Sequence, residues 1–367
     1  MPSVRLSNLS KRFGRIVAVE NLSLEIQNGE YITFLGPSGC GKTTVVKIIA
    51  GIFQPDEGEI FFDGKRMNDV PIEDRGLGYV FQNILLFPNM DVWDNITYGP
   101  RVRDWDVERT KRLTQEILLM TRLNVRLQDY PNELSGGAQQ KVAVSRALSS
   151  GANLLLLDEP LAALDAKVRA QLRHELRRLV KDLGLTAIHV THDQEEAMAI
   201  SDRIVVMRKG RLMEHSSPEE LYRDPKNIFT ANFVGEANFL ISELAENEGT
   251  GEIRLQNSRI RTTRQLRGRK GDKVVVAIRP EHFNLAEERH HLADQLQGVV
   301  VNIVFMGSFL RYEIQPTDGQ ILKCDVLQTG AKKPLEIGAN VFMSAEPENV
   351  LVYPYPPDGL ENEIALE

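Results

Sequence analysis

The chain has 367 residues, two cysteines and a formal net charge of −7, with a pI near 5.7. This length exceeds what one hydrophobic core usually serves, and it therefore predicts two domains. The acidic balance argues against nucleic acid as the main partner, because nucleic-acid-binding domains normally carry a basic excess. Two cysteines are too few for a disulfide framework, and no stretch approaches eighteen uninterrupted apolar residues. We therefore expect a soluble cytosolic chain, which is still able to dock on a membrane protein.

Short apolar runs alternate with longer amphipathic segments from Val4 to about Val206, a pattern typical of a mainly parallel sheet. Strands are predicted at 31–35, 77–81, 153–158 and 186–192, and helices at 43–50, 107–121, 136–149, 164–183 and 194–200. The all-apolar run from Leu154 to Leu157 predicts a strand that is buried on both faces. In the helix at 164–183, the leucines recur at helical spacing and the charges lie on other faces, where we expect a solvated surface. These charges are Lys167, Arg169, Arg173, Arg177 and Arg178.

The segment "GPSGCGKTT" lies between a predicted strand and a predicted helix and fits the phosphate-loop pattern G-x-x-x-x-G-K-[ST]. Glycines allow backbone N–H groups to converge on phosphate oxygens. Lys42 is expected to reach the β- and γ-phosphates, and the hydroxyl of Thr43 can bind Mg²⁺. The predicted ATP-binding residues of this loop are Gly36, Pro37, Ser38, Gly39, Cys40, Gly41, Lys42, Thr43 and Thr44.

Two acidic residues, Asp158 and Glu159, end the buried strand in "LLLLDEP". In P-loop nucleotidases an acid at this place holds Mg²⁺, and hydrolysis needs a group that orients or deprotonates the attacking water. We therefore assign Asp158 to the metal and Glu159 to the general base. Gln82 and His192 also follow predicted strands, where α/β sheets bind their ligands, but a residue of either type at such a place, taken alone, more often has a structural role.

The stretch "ELSGGAQQK" at 133–141 predicts a second helix start with exposed N–H groups, capped by Ser135. Such a helix start can bind an anion. It follows the phosphate loop by more than ninety residues, so the chain carries two potential phosphate-binding helix starts.

Taken together, these segments resemble the ATP-hydrolysing subunit of ATP-binding cassette (ABC) transporters. The motifs occur in that family's order within residues 1–235. They are the phosphate loop, Gln82, the signature "LSGGAQQ" at 134–140, the strand "LLLLDE" at 154–159, the loop "LAALD" at 161–165, and His192. The resemblance implies a P-loop ATPase fold that uses ATP and Mg²⁺.

The resemblance also implies roles for individual residues. Phe13 would stack on adenine, and Gln82 would sense Mg²⁺ and the membrane partner. Asp165 would report across a dimer, and His192 would contact the γ-phosphate beside Glu159. The implied metal-site residues are Thr43, Gln82 and Asp158.

The same resemblance gives the second helix start a function. Ser135, Gly136 and Gly137 of one subunit would close over the ATP that a second subunit holds, so that two copies, or two close paralogues, sandwich two ATP molecules. The segment at 83–99 would form a groove for a helix of the transmembrane permease subunits, although internal packing of its apolar residues is the alternative. These residues are Leu85, Leu86, Phe87, Met90, Val92 and Trp93.

From Glu236 onward, short alternating runs with turn residues between them predict a small all-β domain of barrel or sandwich type. The stretch "AIRPEHFNL" at 277–285 resembles the oligonucleotide-binding-like (TOBE) accessory domain of importer ATPases. The predicted domains are therefore residues 1–235 and 236–367. Importers of this layout take up sugars, polyamines, ferric iron or oxyanions, and they work at the cytoplasmic face of the membrane with permease subunits and an extracytoplasmic solute-binding protein.

Two other functions belong to different classes. ABC-type ATPases that act on nucleic acid or ribosomes usually carry two cassettes, whereas this chain has one phosphate loop and one signature. The accessory domain disfavours an exporter subunit. Ala138 and Ala162 depart from the polar residues that are usual at these places, and we expect them to affect the cross-dimer contact. "LLFPNM" is closer to polyamine and iron systems than to sugar systems, but the substrate stays open, as does the choice between two identical copies and two paralogues.

Overall fold

A computed structural model describes residues 2–123, 125–245, 249–255, 258–266, 268–289, 295–317, 319–328 and 333–366. The chain forms two compact units, residues 1–221 with 366–367, and residues 222–365. This division concerns packing within the chain, and the predicted domain boundary between residues 235 and 236 stays a prediction. Among the described residues, no helix is long and apolar enough to cross a membrane.

The first unit contains two sheets. Its strands are β1 (Val4–Phe13), β2 (Ile16–Ile26), β3 (Tyr31–Leu35), β4 (Glu57–Phe62), β5 (Lys65–Arg66), β6 (Leu77–Val80), β7 (Leu154–Asp158), β8 (Thr186–Thr191), β9 (Arg203–Arg208) and β10 (Arg211–Ser216). One sheet is antiparallel and has the order β2-β1-β4-β5. The other has the order β10-β9-β3-β8-β7-β6 and is parallel except for β10. The predicted α/β fold with a mainly parallel sheet is confirmed.

Six helices described in the first unit surround the parallel sheet, and a seventh, short helix follows it. They are α1 (Lys42–Ala50), α2 (Val92–Val102), α3 (Val107–Thr121), α4 (Gly136–Ser149), α5 (Ala166–Asp182), α6 (Gln194–Ile200) and α7 (Pro218–Arg223). The five predicted helices are present. Helix α5 begins two residues later than predicted, because Asp165 has an extended backbone and its carboxylate accepts a hydrogen bond from the N–H of Val168. Helix α2 was not predicted, since Pro100 lies inside it.

The core lies on both faces of strand β7, whose residues Leu154 to Leu157 are 0% exposed. Leu154 and Leu156 pack with α1 and the antiparallel sheet. Leu155 and Leu157 pack with residues of α3, α4 and α5 on the opposite face. Because side chains alternate along a strand, this uninterrupted apolar run fills two cores at once, as predicted.

The basic residues of α5 differ from the expected solvated face. Lys167 and Arg178 are exposed, but three arginines form ion pairs next to α6 and are only partly exposed. The pairs are Arg169–Asp193 at 3.2 Å, Arg173–Glu195 at 3.8 Å and Arg177–Asp202 at 3.1 Å. The expectation of a solvated surface is therefore wrong for these three residues, because a neighbouring helix supplies carboxylates to this side of α5.

The second unit is mainly β structure, as predicted. Its strands are β11 (Asn238–Leu244), β12 (Gly249–Leu255), β13 (Ser258–Leu266), β14 (Lys273–Ile278), β15 (Phe283–Ala286), β16 (Leu296–Phe305), β17 (Phe309–Pro316), β18 (Leu322–Leu327), β19 (Asn340–Ala345) and β20 (Leu351–Pro354). The sheet orders are β13-β12-β11-β14-β20 and β15-β19-β16-β17-β18. Residues of both sheets share one core, and the helices described here are α8 (Ile228–Phe233) and α9 (Leu360–Ile364).

A buried cation supports the end of α1 in the first unit. The guanidinium of Arg75 donates to the carbonyl oxygens of Ile49 at 2.8 Å, Met67 at 2.7 Å and Val70 at 2.9 Å. Its side chain is buried. The last carbonyls of a helix have no partner within the helix, so Arg75 satisfies groups that would otherwise be buried without a hydrogen bond.

We expect Arg75→Met to lower the free energy of unfolding of the first unit by about 3 kcal/mol, because it leaves several buried carbonyl oxygens without a donor. Denaturant unfolding of the full chain measures this change. Arg66→Met is the matched control, since Arg66 forms only exposed ion pairs and its loss should cost less than about 1 kcal/mol. Equal effects of the two variants would contradict the structural role of Arg75.

Candidate nucleotide-binding site

The candidate site forms where neighbouring parallel strands end. Strands β3, β8 and β7 lie side by side, and β6 follows β7. The phosphate loop at 36–44 leaves β3, while Asp158 ends β7 and His192 follows β8. Because the strands are parallel, their carboxyl ends meet at one edge of the sheet, where α/β folds bind ligands.

Two glycines of the phosphate loop allow close approach of the backbone. A Cβ atom on Gly36 would lie 2.4 Å from the carbonyl oxygen of Met207. At Gly41, where φ is +103°, it would lie 2.1 Å from the carbonyl oxygen of Ala18. The loop is further fixed by a hydrogen bond of 3.0 Å from the N–H of Gly210 to the carbonyl oxygen of Cys40. The loop therefore has a single backbone path through its surroundings.

Lys42 begins helix α1 and turns its side chain back over the loop. Its Nζ donates to the carbonyl oxygens of Gly36 at 2.7 Å and Pro37 at 2.8 Å. The residue is 4% exposed, and within the described part of the chain no carboxylate lies within ion-pairing distance of it. Burial raises the pKa of the neighbouring Cys40 thiol, and the Lys42 ammonium offsets part of that rise. The loop thus holds a buried positive charge that an anion can compensate.

Asp158 is oriented by two hydroxyl groups. Thr43 donates to its Oδ1 at 2.8 Å, and Tyr79 donates to its Oδ2 at 3.1 Å. Burial and the Asp158 carboxylate raise the pKa of Tyr79 well above its usual range, so the phenol remains a donor at physiological pH. Asp158 and Thr43 were predicted as metal-site residues, and the structure brings their oxygens together.

Glu159 points to a different set of partners. Its Oε2 accepts a hydrogen bond of 3.1 Å from Gln82 Nε2 and lies 3.3 Å from Nδ1 of His192. The backbone of Glu159 has a φ of +47°, a left-handed conformation that non-glycine residues rarely adopt, and its N–H donates to the carbonyl oxygen of Val190 at 2.9 Å. Two residues predicted for sensing and hydrolysis, Gln82 and His192, therefore converge on the carboxylate of a third, Glu159.

The second helix start lies beside the loop that carries Asp165. Ser135 caps α4, accepting from the N–H of Ala138 at 3.4 Å, and both Ser135 and Gly136 are exposed. A Cβ on Gly136 would lie 3.3 Å from Leu164, and one on Gly137 would lie 2.8 Å from Val168. The described contacts of these glycines are with this loop and α5, so residues 135–137 and 165 present one surface.

Phe13 ends β1 and is partly exposed. Its ring packs edge-on against Phe53 with centroids 5.2 Å apart, and the ammonium of Lys11 lies 5.5 Å from the ring centroid. A partly exposed aromatic ring offers a stacking surface.

Comparison with known proteins decides the family. Residues 19–162 match the ABC transporter family, and residues 276–352 match the TOBE domain. The spermidine/putrescine import ATP-binding protein PotA of Nitratidesulfovibrio vulgaris is 40% identical over 324 residues, which are 87% of this chain and 88% of the relative. PotA of Thermotoga maritima is 36% identical over 332 residues, with the same coverage. The chain belongs to the ATP-binding subunits of ABC transporters.

Solved structures agree with this assignment of the ABC subunit. A dimeric structure of MJ0796, a bacterial ABC transporter cassette, aligns with a TM-score of 0.53 and 31% identity over 59% of this chain and 98% of the cassette. A dimeric post-hydrolysis form of MJ0796 bound to ADP and Pi gives a TM-score of 0.52 and 32% identity. The predictions of the P-loop ATPase fold with a TOBE domain, and of an ATP-hydrolysing importer subunit rather than an exporter or a ribosomal ATPase, are confirmed.

Several residues of the ABC subunit's site had not been predicted. Tyr79 lies inside a strand and reaches Asp158 only because β6 and β7 are neighbours. Thr191 and Glu196 flank His192 and hydrogen-bond to each other at 2.7 Å. Arg169 was grouped with solvated charges. The only sequence signal for these residues was their polar character, and that signal does not give a partner.

The two unusual alanines occupy different surroundings. Ala138 packs against the apolar cluster of α2, α3 and α4 that includes Val92 and Leu134. Ala162 is exposed, and its N–H donates to the carbonyl oxygen of Glu159 at 3.3 Å. Neither alanine removes a group that is assigned to phosphate, metal or water. Their predicted effect on a cross-dimer contact stays a prediction.

We expect Gly36→Ala to weaken ATP binding at least about 100-fold, because the new Cβ meets backbone and cannot be accommodated without moving the loop. Gly39→Ala is the matched control. At Gly39 the φ is +77° but no atom lies within 4 Å of a Cβ, so only backbone strain of about 1 to 2 kcal/mol opposes the change. Titration with a fluorescent ATP analogue measures both affinities. Equal losses would show that the close approach at Gly36 is unimportant.

Proposed function

We propose that this chain powers a polyamine importer, as a pair of subunits at the cytoplasmic face of the membrane together with permease subunits and an extracytoplasmic solute-binding protein. The observation that carries the proposal is the similarity to spermidine/putrescine import ATP-binding proteins, which extends over 87% of the chain. The stretch "LLFPNM" at 85–90 is closer to polyamine and iron systems than to sugar systems, so it agrees with this substrate class without separating it from iron. A sugar or ferric iron importer has no comparable support.

Mg²⁺ is the proposed companion of ATP. The hydroxyl of Thr43 and the carboxylate of Asp158 are hard oxygen donors 2.8 Å apart, of the kind that Mg²⁺ prefers. Gln82 donates through Nε2 to Glu159, so its Oε1 is the end of the amide that can turn toward a metal. When bound, Mg²⁺ would neutralise charge on the phosphate oxygens.

The chain's own groups divide the work of hydrolysis. Lys42 is proposed to exchange its two carbonyl acceptors for phosphate oxygens, since a charged acceptor binds an ammonium more strongly than a carbonyl does. Glu159 is proposed to accept the proton of the attacking water. Gln82 and His192 both contact its Oε2 and would hold the carboxylate toward that water.

The paired arrangement rests on the exposed surface formed by residues 135–137 and Asp165. A helix N-terminus with a serine cap and two glycines presents free N–H groups to an anion. In this chain that end of α4 is exposed and does not contact the chain's own phosphate loop in the contacts described above. We propose that it closes over the ATP held by a second subunit, and the similar MJ0796 cassette is itself named as a dimeric structure.

The proposed permease contact uses the segment between Gln82 and α2, together with Phe81 just before it and Tyr98 of α2, whose ring lies 4.5 Å from that of Phe87. Val92 is buried, whereas Leu85 is 55% exposed and Phe81 and Tyr98 are also exposed. Asn95 is buried and binds this segment to α2, accepting from the N–H of Phe87 at 2.9 Å and donating to the carbonyl oxygen of Met90 at 2.9 Å. A fixed segment with exposed apolar side chains suits an apolar helix of a membrane protein.

Glu159→Gln should keep ATP binding but reduce the rate of hydrolysis about 10²- to 10⁴-fold, because an amide cannot accept the proton of water. The ATP-bound variant should accumulate as a dimer in size-exclusion chromatography. Glu108→Gln, an exposed change on α3, is the control and should leave both properties unchanged. Hydrolysis by Glu159→Gln near the normal rate would remove Glu159 from the role of base.

Ser135→Arg should leave ATP binding to the monomer unchanged, because residue 135 lies outside the site that holds the chain's own ATP. It should prevent ATP-dependent dimerisation in the Glu159→Gln background by placing a long side chain at the surface that faces the second subunit. Equilibrium titration and analytical ultracentrifugation measure the two effects. Loss of ATP binding by the monomer would contradict the cross-subunit arrangement.

The substrate is tested by transport. The chain, purified with the membrane proteins that accompany it, is reconstituted in vesicles with its solute-binding protein and radiolabelled spermidine, putrescine, maltose or ferric iron. We expect ATP-dependent uptake of the polyamines, and none with Glu159→Gln. Uptake of maltose or ferric iron alone, or recovery of the chain with ribosomes instead of membrane proteins, would contradict the proposal.

A further inference from the structure

One arginine of α5 contacts the two loops that carry Asp165 and His192. Nη2 of Arg169 donates to the carbonyl oxygen of Leu164 at 3.0 Å, and Nη1 donates to Oδ2 of Asp193 at 3.2 Å. Leu164 directly precedes Asp165, and Asp193 directly follows His192. The side chain of Arg169 is 29% exposed, so water screens this contact only in part.

The residues on both sides of His192 are held together tightly. Thr191 donates through its hydroxyl to Glu196 at 2.7 Å, and the same hydroxyl accepts from the N–H of Asp193 at 3.0 Å. Asp193 Oδ1 caps α6 by accepting from the N–H of Glu196 at 3.0 Å. A displacement of Asp193 is therefore carried to His192, because the chain on either side of the histidine is fixed to one rigid turn.

The base of this turn is anchored in the core. The carboxylate of Glu196 is buried and lies 3.1 Å from Nε2 of His189, whose Nδ1 lies 2.9 Å from the hydroxyl of Tyr31. His192 itself is half exposed, and its side chain contacts Glu159. Asp193, the residue that Arg169 holds, therefore lies between the anchored turn and His192.

The charge of Asp193 is maintained in this position. Burial by itself raises the pKa of the carboxyl, but the Glu196 N–H, the hydrogen bond from Arg169 and the nearby Arg173 lower it more, so the pKa lies below its ordinary value. Asp193 and Arg169 are therefore both charged at pH values above the ordinary pKa of aspartate. The ion pair is lost only as pH falls through the lowered pKa of Asp193.

We infer that Arg169 is a positioning residue that transmits the position of the Asp165 loop to His192, so that docking of a second subunit at Asp165 sets the geometry around Glu159. This inference rests on the proposed function, in which Asp165 meets the partner subunit and His192 acts in hydrolysis. A planar guanidinium suits the task, because it donates in two fixed directions at once, whereas the ammonium of lysine is a point charge.

Arg169→Met tests the inference in the full-length chain. We expect kcat for ATP hydrolysis to fall about 10- to 100-fold, because a displaced group near the reacting atoms has an effect of this size. The KM for ATP should stay within about 2-fold, since the phosphate loop is untouched. ATP-dependent dimerisation in the Glu159→Gln background should remain, because Arg169 acts after the subunits meet.

Four further variants separate positioning from general stability. Arg177 lies on the same helix as Arg169 and pairs with Asp202, which follows the other end of α6. Arg177→Met removes this matched ion pair and should leave kcat within about 2-fold of the parent. Asp193→Asn keeps an acceptor for the α6 cap but loses the charge, so its kcat should fall as in Arg169→Met. The kcat of the variant that combines Arg169→Met with Asp193→Asn should fall no further. Arg169→Lys should not restore kcat, because one ammonium cannot reproduce both fork contacts.

The outcomes distinguish the inference from the function on which it rests. An active parent chain with equal kcat values for Arg169→Met and Arg177→Met would overturn the inference alone. Loss of the ATP-dependent dimer in Arg169→Met, or full activity of Arg169→Lys, would also overturn it. A parent chain whose ATP hydrolysis does not depend on Glu159 would overturn the proposed function and the inference together.

Discussion

The adjacency of three parallel strands is the constraint on which the site depends. Strands β3, β8 and β7 end side by side, and this brings Thr43 within 2.8 Å of Asp158, although the two residues are 115 positions apart in the chain. The buried leucines of β7 hold this strand between two cores, so its carboxyl end cannot shift without disturbing both of them. The carboxylate of Asp158 at the end of this strand is therefore held by packing as well as by hydrogen bonds.

Backbone conformation gives the site its shape. Gly36 and Gly41 leave no room for a Cβ atom, so the phosphate loop follows one path. Glu159 differs from these glycines, because it carries a side chain and yet has a φ of +47°, in the left-handed region. Its N–H is held by the carbonyl oxygen of Val190 in β8, and Asp158 and Glu159 have different partners on the two sides of this turn. Strain of this kind at a residue with a proposed catalytic role fits the tendency of strained backbone to occur at functional sites.

Positive charges inside the first unit are balanced by different acceptors. Lys42 and Arg75 are buried against backbone carbonyl oxygens. Arg169 shares its donors between a carbonyl and a carboxylate. Carbonyl partners leave the positive charge of Lys42 uncancelled, which suits a loop that has to receive phosphate. The mixed partners of Arg169 instead connect two loops. Carbonyl acceptors therefore satisfy a helix end at Arg75 and leave a charge available to an anion at Lys42, so the surroundings of the two cations decide the difference.

The amino-acid sequence by itself determined the elements and the family. The apolar pattern gave the buried strand at 154–157 and helix α5 to within two residues of its start, and the ordered motifs gave the phosphate loop, the signature and the ABC resemblance. It could not give helix α2, since Pro100 and an apolar run concealed it, nor the roles of Tyr79 and Arg169. Those depend on which strand or helix lies next to which. A local pattern records whether a residue is polar and where it lies along an element, whereas a partner distant in the chain is decided only by the order of strands and the packing of helices.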